Sequence, residues 1–193
     1  MIPTLVILLL TTQAGSISPQ APMKENRAPV PASPAPMRHA QSSDVDRAFA
    51  LAFTQSSNAE MDLADLAAQR ATANEVKAFA AKMVAEHKGM SEEITPLLQG
   101  ILSTPPAERL AAPDQLALKH LEALKPVDFD QEYILSQIAA HLTTLTAFQA
   151  EADNGTDAQL KQVIRKWTPT IQAHLELAVD IAKHVGGSSP FKQ

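Results

Sequence analysis

A chain of 193 residues with a formal net charge of −5 and no cysteine has room for one folded domain plus extras. Without cysteine it has no disulfide, no thiolate ligand and no lipidated N-terminal Cys, a composition that suits an oxidising compartment. The acidic balance and the lack of a basic stripe argue against a nucleic-acid partner.

The chain opens on MIPTLVILLL followed by TTQAGS. An apolar run with Thr12 and Ala14 as the small pair behind it predicts a signal peptide over residues 1–14, although no basic side chain precedes the run. The run is far shorter than the roughly 20 residues of a bilayer span. The expected product is a mature chain with no membrane span, periplasmic or secreted. Residues 15–43 follow with Pro19, Pro22, Pro29, Pro31, Pro34 and Pro36 among Ser, Ala and Gln. Such a stretch buries too little apolar surface to offset its ordering entropy, which predicts a disordered, Pro-rich linker acting as a spacer.

From Asp44 the composition shifts to Ala, Leu, Gln, Glu and Lys with no sustained strand alternation, so residues 44–185 read as an all-α domain. The first helix is expected from Asp44 to Arg70. "TANE" at 72–75 has the spacing of a capping box and would open the second, which runs to about Gly100 with Pro96 as a kink or early stop. "STPPAERLAAP" breaks the chain, and a short helix is expected at about 113–124. Asp128 is the expected N-cap of a helix to Asp153, and Thr156 the expected cap of a last helix to about His184, bent at Pro169. Residues 186–193 read as a flexible tail. Two pairs joined by tight turns, with a long middle connection, define a four-helix bundle with one crossover, the connectivity of ferritin-like folds. The crossover carries a short helix and lies between the second and third long helices.

Each long helix points one ionisable group along its apolar stripe. Glu60 falls with Phe53, Leu63, Ala64 and Ala67, and His87 with Val76, Phe79, Ala80 and Met83. His141 falls with Ile134, Ile138, Leu145 and Phe148, and His174 with Trp167, Ile171, Leu177, Ala178 and Ile181. At about 1.5 Å rise per residue, Glu60 and His87 stand about 17 and 22 Å from the 71–73 turn. His141 and His174 stand about 20 and 28 Å from the 154–156 turn, so all four are near mid-bundle. A lone histidine on an apolar face is most often a satisfied core residue. Three at one level with a carboxylate fit a shared ion, and three imidazoles with one carboxylate suit zinc, iron, copper or manganese. A hydrogen-bonded, metal-free polar cluster is the competing reading. His39, His120 and His184 read as solvated or terminal. Asp128 and Asp130 read as dipole-compensating residues of a first turn, and Met61, Met83 and Met90 as core filler.

The stretches "NAEMDLADLAAQRATANEVKAFAAKMVAEH", "FDQEYILSQIAAHLTTLTAF" and "TPTIQAHLELA" resemble the bacterial family called domain of unknown function 4142, over about residues 46–182. The resemblance implies a ferritin-like, usually exported protein, with Glu60, His87, Asp130, Tyr133, His141 and His174 at the positions of the family pattern. Members are often labelled outer membrane proteins, but no barrel strands are legible in this chain. A di-iron carboxylate site needs two Glu-x-x-His pairs, and the residues three before the bundle histidines are Val84, Ile138 and Ile171. Glu86 and Glu176, at 100° and 200° from their neighbouring histidines, are expected to point elsewhere. No Ser/His/Asp set, phosphate loop or nucleotide fingerprint is present. Two functions remain: an exported metal-binding protein for sequestration, sensing or envelope stress protection, or a non-enzymatic helical interaction or structural module. A metal-dependent enzyme is a weaker third.

Overall fold

The computed structural model describes residues 42–185. The expected signal 1–14, all but the last two residues of the linker 15–43, and the tail 186–193 lie outside the described residues. The described residues are all-helical, with no strand among them. The helices are α1 (Asp44–Arg70), α2 (Asn74–Ile101), α3 (Ala112–Ala123), α4 (Pro126–Asn154) and α5 (Ala158–Val185). The boundaries fall close to those expected; α2 runs through Pro96 rather than stopping there, and α5 continues through Pro169 as expected.

The helix starts differ from the expected caps. Thr72 does not cap α2, whose N-cap is Ala73 with no side-chain bond of its own. The backbone N–H groups of Thr72 and Ala73 donate instead to the Asp130 carboxylate of α4, at 3.0 and 2.8 Å, and the Thr72 hydroxyl joins them. α4 opens at Lys125 with Pro126 in its first turn, where the missing N–H costs nothing, so Asp128 is not its cap. α5 takes its cap from Asp157, which accepts from the N–H groups of Gln159 and Leu160. Thr156 turns away: its N–H donates to Asp46 of α1 at 2.8 Å, and its hydroxyl donates to the same carboxylate. Asp46 also closes a capping box with Ser43 at the start of α1. Each hairpin therefore places a buried aspartate over the tight turn of the other. Gly155 is required in the second turn by close approach, since a Cβ there would lie 2.6 Å from the Glu151 carbonyl oxygen.

Helices α1 and α2 form one hairpin and α4 and α5 the other, and α1 packs on α4 while α2 packs on α5. The apolar core has two parts. Leu63, Val76, Phe79, Met83, Phe129 and Ala178 belong to one, and Phe49, Phe53, Met90, Phe148, Leu160 and Ile171 to the other. Ile101, the end of α2, lies in the second part, whereas Leu121 and Phe129 lie in the first, so the connection 102–125 travels lengthwise from one to the other. It is pinned on α1. Arg109 pairs with Asp62, Asn58 donates to the Arg109 carbonyl at 3.2 Å, and Arg70 donates to the carbonyls of Glu122 and Leu124. Helix α3 consequently covers the junction of α1 and α4.

Candidate metal centre

A polar layer lies between the two parts of the core. Met83 of the first part precedes His87 by one turn and Met90 of the second follows it, while Ile171 and Ala178 flank His174 in the same way. The 3.6-residue period that buries these apolar neighbours must bury the imidazoles as well. His87, His141 and His174 are 4%, 1% and 1% exposed.

The three rings form a nearly equilateral set. Centroids are 5.7 Å apart for His87 and His141, 5.5 Å for His87 and His174, and 5.4 Å for His141 and His174. One ring nitrogen from each can be chosen so that all three lie within 4.8 Å of one another. Zinc holds imidazole nitrogen at about 2.0–2.1 Å, which puts tetrahedral donors about 3.3 Å apart, so modest side-chain closure would suffice.

The outward nitrogens fix which atoms face inward. Nδ1 of His141 lies 2.8 Å from the backbone oxygen of Gln137, one turn back. A carbonyl only accepts, so Nδ1 carries the proton and Nε2 presents a lone pair. Nε2 of His174 lies 2.6 Å from Oε2 of Glu86, leaving Nδ1 as its inward lone pair. Burial opposes ionisation of Glu86, yet donation from Lys82 and His174 outweighs it and holds the carboxyl below the usual range. Nε2 of His141, Nδ1 of His174 and both nitrogens of His87 are buried with no hydrogen-bond partner. Carboxylate and carbonyl partners on outer nitrogens orient metal-binding imidazoles in this way.

All three rings are neutral. Burial, reinforced by its two histidine neighbours, pushes His87 down to about 3. Burial pushes His141 down to about 4, against the bond to Gln137. Burial also lowers His174, against the attraction of Glu86. At neutral pH no proton competes for the inward lone pairs. Three neutral nitrogen donors can hold a late first-row divalent ion and leave a fourth tetrahedral position for water or another ligand.

Of the residues singled out by the stripes, the structure brings together the three histidines. Glu60 reaches the same polar layer but is absent from the set of mutually close ligand atoms. Its carboxyl is 6% exposed, leaves Oε2 without a partner, and is raised to about 7 by burial, against the Gln137 amide and with help from Asp114. Glu86 corrects the expectation that it points elsewhere, since it reaches across from α2 to α5. It was legible only as the neighbour of His87, not as the partner of His174. Gln137 carries no sequence signal for its part, because it holds His141 through a backbone carbonyl that any residue at that position would present.

Asp130, read as a dipole residue, is the cap of the first turn. Tyr133 stacks on Phe129 at 6.0 Å, and burial with the neighbouring Glu60 charge raises its hydroxyl well above the usual range. His120 is exposed beside Glu132 at 3.7 Å, and His184 is exposed near the end of α5. Met83 and Met90 are core residues.

An all-helical protein with a buried three-histidine cluster is the class these features define. Residues 31–181 match the family described as Domain of unknown function (DUF4142), and the chain belongs to that family. No curated protein and no solved structure matches the chain.

Proposed function

We propose that this chain is an exported, ferritin-like four-helix bundle that holds one late transition-metal ion on His87, His141 and His174, as a sequestering or sensing protein of the cell envelope. The observation that carries the reading is the set of buried ring nitrogens that have no protein partner and converge on one point. An unpaired buried polar atom costs about 1–3 kcal/mol. One ion satisfies several at once. The donor set favours zinc or copper over manganese, because no carboxylate oxygen belongs to the converging group. Glu86 and the Gln137 carbonyl would hold the rings in register and Glu60 would stand outside the coordination sphere. The lengthwise connection 102–125 supports the ferritin-like crossover, and the apolar run before Gly15 supports export.

Untagged full chain should bind one equivalent of zinc or copper, and the ion should raise its thermal midpoint. At a free ion concentration of one hundred times the dissociation constant, the gain is about 2.7 kcal/mol. His141→Ala should lose both effects, and His120→Ala, on the exposed face of α3, should keep them. If His141→Ala lowers stability equally with and without metal, the histidines form a metal-free polar core and the metal reading fails.

A further inference from the structure

A second feature lies beside the histidines and is not explained by them. Between α1, α3 and α4 lies a cavity of about 590 Å³ that opens to solvent on one side. That volume is in the range of small-molecule sites. Its walls are mostly apolar, with Phe49, Phe53, Leu63 and Phe148 among them, and Gln55 and the hydroxyls of Ser56, Ser136, Thr143 and Thr144 add neutral polar groups. Two charged side chains are among the described residues that line it. Both are acidic: Glu60 within and Asp114 at the start of α3.

Glu60 is the informative one. It is buried, lines the cavity, and has a carboxylate oxygen with no hydrogen-bond partner. Burying a carboxyl whose free oxygen has no partner and no counterion costs stability, so its place on a mostly apolar wall points to a partner that arrives from outside. An anion would meet two carboxylates. A bare inorganic cation would bury none of the aliphatic wall and would lose its hydration for a single carboxylate and the weak pull of ring faces. A neutral apolar guest would leave Glu60 unpaired.

We propose that this cavity binds a small amphiphilic amine, its apolar body against Phe49, Phe53 and Phe148 and its ammonium group paired with Glu60, with Asp114 adding to the cation preference. The site is separate from the three histidines, and its occupancy does not depend on a metal. The connection that pins α3 onto α1 sets its outer wall, so the cavity is built into the fold.

Three probes of one shape separate the possibilities: 4-phenylbutylamine, 4-phenylbutanol and 4-phenylbutanoate, titrated calorimetrically into full chain at pH 7. An alkylammonium is fully protonated there, as a lysine is. The amine should bind at least tenfold more tightly than the alcohol, and the carboxylate more weakly than either. Glu60→Gln should cut most of that preference and leave the amine only the several-fold advantage that Asp114 supplies, and Ala140→Phe, on the α4 wall, should block both. Asp114→Asn, on the half-buried rim, should weaken the amine several-fold and leave the alcohol unchanged, which provides the reading if the Glu60 variant does not fold. The order should be the same with EDTA and with zinc, so a chain that binds no metal would still pass. Equal binding of amine and alcohol, tighter binding of the carboxylate, no binding of any probe, or a preference that survives both carboxylate substitutions would overturn the proposal.

Discussion

Glu60 and His87 are both forced toward their neutral forms by burial, but with opposite consequences for stability. The folded state raises Glu60 from 4.5 to about 7, so between those values it holds a proton that the unfolded chain has released. Its contribution is full below 4.5 and is lost as pH rises through the folded value. His87 falls from 6.5 to about 3, so its contribution is present above 6.5 and is lost as pH drops toward 3. Glu60→Gln removes only the first effect. In metal-free protein the variant should therefore gain on the parent chain as pH climbs from about 4.5 to 7, by roughly 1–3 kcal/mol in denaturant unfolding. A difference that stays flat across that interval would refute the assignment. At this scale the sequence was informative about height and poor about direction. A 3.6-residue period and a fixed rise per residue suffice to put Glu60 and the three histidines at one level. They do not say that Glu60 turns toward α4, or that the long Glu86 side chain crosses from α2 to α5.

The helices themselves were largely legible, because stripes of Phe, Leu, Ile and Met leave little freedom over 27–29 residues. Their starts were not. Thr72, Asp128 and Thr156 each have the local spacing of a cap, and none of the three performs it. A cap read from neighbouring residues assumes that an orphan N–H is satisfied by its own chain segment. At the first turn it is satisfied from α4, 58 residues away. This assigns a measurable load to Asp130. Asp130→Asn removes the charge and turns one acceptor into a donor that faces other N–H groups, and should cost about 2 kcal/mol in urea unfolding. Asp128→Asn, two residues earlier on α4 but exposed, should cost at most a few tenths of a kcal/mol. Equal costs for the two would mean that the turn is satisfied by water rather than by the carboxylate.

For the whole chain, the proposed export makes the first prediction concrete. Cleavage after Ala14 leaves a protein beginning at Gly15, and mass spectrometry of the exported fraction should find that terminus; intact Met1 there would reject it. The exchange of aspartates between turns has a different kind of consequence. Asp130 follows Asp46 by 84 residues, and Thr156 follows Thr72 by the same 84. The contact of Asp46 with Thr156 is thus the contact of Asp130 with Thr72 made a second time, the reciprocal pairing that a two-fold axis imposes on a dimer of identical subunits. Each hairpin is complementary to something like a copy of itself, with residues 102–125 as the tether. The same offset sets Ser57 against His141, Ile171 against His87 and Met90 against His174. None of the three imidazoles has a counterpart in the other half. The two turns keep the symmetry, and the three imidazoles lie where the two halves differ.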